Sequence, residues 1–349
     1  MNGYMGKLLR VDLTRGLLED EPLNEEYARQ YLGGSGLAAR YLYDLIDVHT
    51  DPLGPENPLL FLTGPLVGTS APACGRYEVC ARSPLTGLWG ESNSGGFFGP
   101  ELRFAGYDGI LIIGRAERPL YLSIIEGQAE LRPAEHLWGR DTYATQELIR
   151  QELHEPRARV ACIGPGGEEL VKYAAVMNDH GRAAGRTGMG TVMGAKNLKA
   201  IAVRGSGQIP LADSDRFREV TRDILELFKD DFVAEALRSL GTANVVDFAS
   251  VIGDMPNQYW TQGIFAGAER ISGATMSETI LTGNTACYRC PIACGRRTTL
   301  QDTPYGLREV DGPEYETIAA FGSLLLIDDL PGITYINHLC NAYGLDTIS

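Results

Sequence analysis

The chain has 349 residues, 44% of them hydrophobic and 22% charged, a globular composition with room for two or three domains. Its 45 acidic and 31 basic residues give a formal net charge of −14, which argues against binding to nucleic acid or to anionic lipid. It has neither the roughly 18 consecutive apolar residues of a membrane helix nor an N-terminal signal peptide, so we expect a cytoplasmic protein.

Residues 1–210 are predicted to be rich in β-strands, because short apolar or alternating runs recur and each is closed by glycine or proline. Helices are predicted to interrupt them at Leu37–Ile46 and Thr142–Leu153, with Asp141 as the N-cap of the second. The predicted strands are Lys7–Asp12, Pro58–Leu62, Tyr77–Ala81, Gly109–Ile113, Pro119–Ile125, Arg159–Ile163, Tyr173–Met177 and Ala200–Val203.

After the strands, Gly205–Pro210 predicts a linker. One helix is predicted to begin near Ser214, and another to end at Gly344. We therefore expect an α+β protein with a β-rich domain at residues 1–208 and a mainly helical region at residues 209–349. Because the sequence stops directly after the last helix, we expect it to be the N-terminal part of a longer protein.

The strongest local signal is the cysteine run Cys287-Tyr-Arg-Cys290-Pro-Ile-Ala-Cys294. Three thiolates within eight residues can converge on one soft metal centre. A zinc knuckle and incidental cysteines stay open as alternatives, although the second pair of ligands typical of zinc sites does not follow. Cys80 and Cys162 lie in apolar strand patterns and are predicted to be core residues.

Two glycine-rich stretches predict close contact with a polyoxygen anion. The chain has 42 glycines in 349 residues, above the ~7% of average proteins. Five of them fall within Gly181–Gly194, a stretch that also carries Arg182 and Arg186 and is followed by Lys196. Bare backbone N–H groups and guanidinium forks suit phosphate. The second stretch, Glu91–Gly99, is weaker, and an ordinary surface loop is the alternative for both.

An acidic motif, Gly312-Pro-Glu-Tyr-Glu316, precedes the mostly apolar run Thr317–Ile327. A carboxylate at the mouth of a buried helix can act as a general base, or it can complement the helix dipole. Composition alone favours the dipole interpretation.

Taken together, these motifs resemble the tungsten-containing aldehyde:ferredoxin oxidoreductases. The resemblance covers essentially the whole chain, in the right order, through GKLLRVDLTRG, LTGPLVGTSAPACGRYEV, ESNSGGFFGPELRFAGYDGI, AAVMNDHGRAAGRTGMGTVMGAKNLKAIAV, CYRCPIACGR, GPEYE and LCNAYGLDTIS. It implies an N-terminal domain of two β-sheets that supports two pterins. It also implies oxidation of an aldehyde to a carboxylic acid, with oxygen from water and electrons passed to ferredoxin, in a homodimer or with other redox subunits.

The resemblance also implies the site residues. Cys287, Cys290 and Cys294 match three ligands of a 4Fe-4S cluster, and Glu316 matches a glutamate near the metal. The backbone carbonyls of Asn93 and Ala183 match those facing a magnesium ion between the pterin phosphates. Positions that match further contacts to the tungsten bis-pterin are Arg76, Asn93, Gly95, Arg182, Ala183, Gly185, Arg186, Asn341 and Asp346.

The sequence departs from the family pattern in places, and several alternatives stay open. The fourth cluster cysteine of the family lies beyond residue 349. The run Tyr335-Ile-Asn-His338 holds only half of the Glu-x-x-His iron motif that some members carry at a dimer interface. Within the family, the alternatives are molybdenum in place of tungsten and an aromatic thioester as the substrate. Outside this activity, the alternatives are an iron–sulfur electron-transfer subunit and a zinc-binding structural protein.

Overall fold

A computed structural model describes residues 1–301 and 303–349 of the chain. These residues form two units: unit 1 comprises Met1–Thr221 with Asn341–Asp346, and unit 2 comprises Arg222–Cys340 with Thr347–Ser349. Each unit has its own hydrophobic core. The short segment Asn341–Asp346 therefore belongs to the unit built by the first 221 residues.

The first sheet of unit 1 has six strands. They are β1 (Lys7–Asp12), β2 (Leu17–Pro22), β3 (Leu59–Leu62), β4 (Tyr77–Arg82), β5 (Trp89–Ser94) and β6 (Gly109–Ile113). Their order in space is β2-β1-β6-β3-β4-β5. β1 pairs parallel with β6, and the other neighbours pair antiparallel. β5 is thus an edge strand.

The second sheet of unit 1 also has six strands. They are β7 (Leu120–Ile125), β8 (Gln128–Pro133), β9 (Arg159–Cys162), β10 (Val176–Asn178), β11 (Arg182–Ala184) and β12 (Leu198–Arg204). Their order is β11-β10-β9-β12-β7-β8, with β7 and β12 parallel and the other neighbours antiparallel. β11 is an edge strand and contacts β5 of the first sheet.

Helices cover the two sheets. They are α1 (Glu25–Tyr31), α2 (Gly34–Leu45), α3 (Phe98–Phe104), α4 (Thr142–Glu152), α5 (Pro165–Glu168) and α6 (Met189–Ala195). Strand β3 explains the layering, because successive side chains of a strand point to opposite faces. Leu59 and Phe61 join the core that both sheets share, whereas Leu60 and Leu62 join a second core with α2.

Unit 2 combines helices with a small antiparallel sheet in the order β13-β14-β15. Helix α7 (Ser214–Leu227) crosses the boundary between the units. The remaining elements are α8 (Phe232–Leu240), α9 (Asn244–Ile252), a 3-10 helix (Ala268–Ile271), α10 (Gly273–Thr279), β13 (Leu281–Thr285), β14 (Gly295–Leu300), β15 (Arg308–Asp311), α11 (Tyr315–Ile318), a π-helical turn (Ala319–Ser323) and α12 (Leu330–Tyr343).

The predicted α+β class with two N-terminal sheets is confirmed. Asp141 caps α4 as expected, since its carboxylate accepts a hydrogen bond from Ala144 N at 2.7 Å. The strand predicted at Tyr173–Met177 begins later, at Val176, because Ala174 and Ala175 pair with the segment Asn341–Asp346 instead. No helix of the described residues is long and apolar enough to cross a membrane.

Candidate functional site

The edge strands β5 and β11 carry four of the residues implied as cofactor contacts. Asn93 lies on β5 with Gly95 directly after it, and Arg182 and Ala183 lie on β11. The two strands contact each other, although they belong to different sheets. An edge strand leaves a row of backbone N–H and C=O groups outside its ladder. These groups are therefore available to an anion or a cation bound between the strands.

A chain of hydrogen bonds links Arg76, Asn93 and Glu78. The register of β4 and β5 sets Glu78 opposite Asn93. Arg76 Nε donates to Asn93 Oδ1, and Asn93 Nδ2 donates to Glu78 Oε1. The Asn93 amide is thus held with its oxygen toward a guanidinium and its nitrogen toward a carboxylate. Arg76 and Asn93, both expected at the site, are in direct contact.

Glu78 is a residue of this region that the sequence analysis missed. Burial raises the pKa of its carboxyl, and the hydrogen bond from Asn93 opposes that rise. Its Oε2 atom is buried and has no hydrogen-bond partner among the described residues. Such an oxygen is costly unless a donor reaches it, so this corner fits a ligand that brings N–H groups. The sequence feature that could have identified Glu78 is an acidic residue within the otherwise apolar run Tyr77–Ala81.

The segment Asn341–Asp346 brings two further expected contacts to unit 1. Thr142 Oγ1 donates to Asn341 O at 2.7 Å, and Asp346 N donates to Tyr173 O at 3.1 Å. Both Asn341 and Asp346 are buried. The segment is therefore anchored at both ends on unit 1.

Asp346 meets the glycine-rich stretch of unit 1. Its carboxylate lies 3.5 Å from Arg186 Nε, and a Cβ added at Gly185 would lie 3.6 Å from its Oδ1. The Arg186 side chain is 58% exposed, whereas that of Asp346 is 4% exposed. A guanidinium open to solvent beside a buried acceptor fits a ligand with a phosphate at one end and N–H groups at the other. These residues therefore fit a pterin phosphate.

Lys196, which follows the glycine-rich stretch, does not take part in this arrangement. Its side chain is buried, and Nζ donates to Pro55 O at 3.2 Å and to Gly114 O at 3.0 Å. Burial lowers the pKa of this ammonium from its ordinary value of 10.5 to about 8. The Lys196 ammonium therefore donates its hydrogen bonds to the backbone carbonyls of two loops.

Replacing Lys196 by Met is expected to change how stability depends on pH. The folded chain releases this proton near pH 8 and the unfolded chain near pH 10.5, so the parent gains stability as pH rises between the two. Relative to Lys196→Met, that gain is about 3 kcal/mol at most. Urea unfolding at several pH values measures it. Parallel stability curves from pH 7 to 10.5 would show that Lys196 is not desolvated.

The cysteine run lies in the loop between β13 and β14 in unit 2. Cys287, Cys290 and Cys294 are each half-buried, and Cys290 N donates to Cys287 O at 3.1 Å. None of the seven cysteines, all within the described residues, is in a disulfide. No group of three or more His, Cys, Asp or Glu side chains in residues 1–301 and 303–349 is arranged to hold a metal ion. Thiolate chemistry fits an iron–sulfur cluster, and the ligand assignment stays a prediction.

Arg296 donates hydrogen bonds to the end of this loop, a role that the sequence analysis did not predict. It is buried, and it donates from Nη2 to Ala293 O at 2.9 Å and from Nε to Cys294 O at 3.1 Å. Burial lowers the pKa of its guanidinium, which nearby Glu314 and Cys294 oppose. The buried guanidinium thus fixes two carbonyls at the C-terminal end of the loop.

The two glutamates of the acidic motif have different surroundings. Glu314 precedes α11, and its Oε2 accepts a hydrogen bond from Thr242 Oγ1 at 2.5 Å. Glu316 lies in the first turn of α11 and is exposed. The apolar run after Glu316 predicts partial burial of this side chain, and that prediction is wrong, because the buried face of the short helix is formed by Thr317 and Ile318. Glu314 is the N-cap residue of α11 but makes no side-chain capping hydrogen bond, and its carboxylate is held by Thr242 instead.

His338, the remaining half of the Glu-x-x-His motif, binds an arginine. Its Nε2 accepts a hydrogen bond from Arg308 Nη1 at 2.7 Å, and the same guanidinium lies 5.3 Å from the ring centroid of Tyr335. The guanidinium places a positive charge against the imidazole, which disfavours a second cation there. Tyr335 and His338 therefore do not reproduce a carboxylate–histidine iron site.

Two family models match the chain. The model for the aldehyde ferredoxin oxidoreductase N-terminal domain matches residues 8–205, and the model for domains 2 and 3 of the same enzymes matches residues 219–349. Together they cover both sides of the predicted linker.

Curated relatives match the chain over its whole length. The tungsten-containing aldehyde ferredoxin oxidoreductases of Pyrococcus furiosus and Thermococcus kodakarensis are each 46% identical over 350 residues, covering 100% of this chain. The aliphatic sulfonate oxidoreductase WOR-like subunit of Pyrococcus furiosus is 34% identical over 367 residues. The chain spans 57% of the length of the first two relatives and 58% of the third.

One solved structure has the same fold at recognisable sequence identity. It is the active site complex BamBC of benzoyl coenzyme A reductase in complex with 1,5-dienoyl-CoA, with a TM-score of 0.87 and 31% identity. The match covers 100% of this chain and 54% of that one.

Proposed function

The chain belongs to the aldehyde ferredoxin oxidoreductase family, and on that premise we propose that it oxidises an aldehyde to a carboxylic acid and passes the electrons to ferredoxin. The observation that carries the proposal is the 46% identity that extends over the whole chain. The fold agrees, since two six-stranded sheets bring the implied cofactor contacts of unit 1 to their meeting edges. The absence of any disulfide among the seven described cysteines suits a reducing cytoplasm.

The proposed cofactor is a tungsten bis-pterin, with molybdenum as the alternative metal, beside a 4Fe-4S cluster. When bound, these groups supply the redox chemistry, while the chain binds and orients them. Arg182 and Arg186 would hold pterin phosphates, and the carbonyls of Asn93 and Ala183 would face a magnesium ion. Arg76 would lie between pterin and cluster.

Further contacts would come from Gly95, Gly185, Asn341 and Asp346. The proposed pterin-binding domain is residues 1–208, and the segment Asn341–Asp346, which belongs to unit 1, would add its contacts to it. The proposed helical domain, residues 209–349, would supply Cys287, Cys290 and Cys294 to the cluster.

The direct test is aldehyde-dependent reduction of ferredoxin by the full-length protein, purified without oxygen. A panel of aliphatic, aromatic and sugar aldehydes is offered, and the acid product is measured together with reduced ferredoxin. We expect one acid for each two ferredoxins reduced, as two single-electron transfers require. A loaded protein that reduces ferredoxin with none of these aldehydes would refute the proposal.

Reduction of an aromatic thioester is the second candidate. It is favoured by the fold match to the active site complex of benzoyl coenzyme A reductase at 31% identity. The same assay separates the two functions, because an aromatic coenzyme A thioester would then be consumed with reduced ferredoxin while aldehydes stay inert.

Replacing Arg182 or Arg186 by Ala is expected to lower the pterin content. Each guanidinium–phosphate pair contributes about 1.5–3 kcal/mol, which corresponds to about 10- to 150-fold in affinity. Lysine would keep the charge but lose the bidentate fork. Arg157→Ala is the control, because that side chain is 72% exposed and pairs with Glu155 at the surface. Unchanged pterin content in both Arg182→Ala and Arg186→Ala would contradict the assignment.

A further inference from the structure

Asn178 is a fully buried side chain whose hydrogen-bonding capacity is completely used. Its Oδ1 accepts from Tyr77 Oη at 2.9 Å and from Ser94 Oγ at 2.7 Å. Its Nδ2 donates to Gly95 O at 3.0 Å and to Asp179 Oδ2 at 2.9 Å. An asparagine amide has two lone pairs and two N–H groups, so all four positions are satisfied. These bonds fix the orientation of the amide.

The neighbouring Asp179 extends the same network. Its Oδ2 accepts from Phe97 N at 2.6 Å, and its Oδ1 pairs with Arg159 Nη1 at 3.0 Å. The chain packs so closely here that a Cβ at Gly96 would lie 2.3 Å from Asp179 Oδ2 and 2.9 Å from Asn178 Nδ2. Gly96 also has a φ of +88°, which favours glycine. The backbone after β5 is therefore pressed against the end of β10.

This hydrogen-bond network lies where the edge strands β5 and β11 contact each other. Asn178 is the last residue of β10 and is paired in register with Arg182 of β11. Its partners Ser94 and Gly95 directly follow Asn93. Since β5 and β11 belong to different sheets, a shared backbone ladder does not set their spacing. The hydrogen bonds of Asn178 to Ser94 and Gly95 join the end of β10, the neighbour of β11, to β5 across the shared core.

We propose that Asn178 is a positioning residue of the cofactor site, which fixes the spacing of β5 and β11 that the pterin phosphates and their bridging cation require. The inference rests on the proposed function, because it assigns the two strands to one ligand. Asn178 acts through the backbone of Gly95 and Arg182, and its amide is saturated by protein partners.

The test is Asn178→Asp in the full chain, which keeps the shape but turns both donors into acceptors facing oxygen atoms. The matched control is Asn57→Asp. Asn57 is also fully buried, and its Nδ2 donates to Pro52 O at 2.7 Å and Arg82 O at 3.0 Å. It lies by Arg82, at the opposite end of β4 from Tyr77. Ser94→Ala removes a single bond of the network, should Asn178→Asp fail to fold.

Two measurements are made on each variant. Hydrogen exchange should accelerate in residues 93–98 and 178–186 of Asn178→Asp, and less in Ser94→Ala, while Asn57→Asp leaves these segments protected. Release of bound pterin, followed by the fluorescence of its oxidised form, should be about 10- to 100-fold faster in Asn178→Asp, the usual scale for losing a supporting hydrogen bond behind a ligand.

The outcomes separate the inference from the proposed function. If the parent holds pterin and Asn178→Asp releases it no faster than Asn57→Asp, the role of Asn178 is refuted while the proposed function stands. If exchange in both segments is unchanged in Asn178→Asp and Ser94→Ala, the role is likewise refuted. A parent that holds no pterin would refute the proposed function and the role of Asn178 with it.

Discussion

Replacement of Glu316 by Gln is expected to lower aldehyde turnover about 100- to 10,000-fold, with metal, pterin and cluster retained. General-base catalysis is worth a factor of this size, and we propose that Glu316 takes a proton from the water that attacks the aldehyde carbon. Gln has nearly the same shape but cannot accept that proton. The carboxylate is exposed in the first turn of α11, so water can reach it. Turnover is measured for each tungsten-loaded chain, so that lost cofactor does not count as lost catalysis.

Glu314→Gln is the control for Glu316→Gln. Glu314 lies two residues earlier and is held by Thr242 at 2.5 Å, so it is already engaged in structure. We expect its replacement to cost far less turnover and some stability of unit 2. If Glu316→Gln oxidises aldehyde at near the parent rate, or if Glu314→Gln is the inactive variant, the proton acceptor is another residue.

Replacement of Cys287, Cys290 or Cys294 by Ser should each remove most of the broad visible absorption of the anaerobically prepared protein. Iron–sulfur clusters are held by cysteine thiolates, and a serine oxygen is a harder and poorer ligand for them. Iron and acid-labile sulfide are measured for each chain alongside the spectrum. Loss of most iron in all three variants is the expected result.

Cys340→Ser is the matched control for the cysteine variants, because Cys340 is equally half-buried but lies in α12, outside the sequence of the loop. It should keep the parent's absorption and iron content. Full iron and sulfide in all three loop variants would show that these cysteines do not ligate a cluster. Loss of iron in Cys340→Ser alone would move the ligand set to α12.

Elements with a local cause could be predicted from the sequence. Strand β3 is four apolar residues between breakers, and α4 begins at an aspartate whose carboxylate caps its first turn. Burial periodicity and helix capping depend on a few neighbouring residues, so both can be recognised in a single sequence. The apolar strands of both sheets were predicted for this reason.

The site-forming strands were harder to predict, because their cause is tertiary. β5 and β11 are polar edge strands, without the apolar alternation that marks a half-buried strand. The pairing of Ala174 with Leu345 joins residues far apart in sequence. Two partners of Asn178, Tyr77 on β4 and Ser94 on β5, are likewise distant from it in sequence. The resemblance supplied Asn93, Arg182 and Asp346 as contacts, but the network that holds their strands together required the structure.

The central claim, that this chain belongs to a tungsten-pterin oxidoreductase with an iron–sulfur cluster, is tested most directly by elemental and pterin analysis of the full-length protein purified without oxygen. We expect tungsten or molybdenum, two pterins for each such metal, and about four iron atoms with matching sulfide. Iron and sulfide without pterin would identify an electron-transfer subunit instead. Zinc without iron, tungsten or molybdenum would identify a structural zinc protein, and either result would contradict the proposed function.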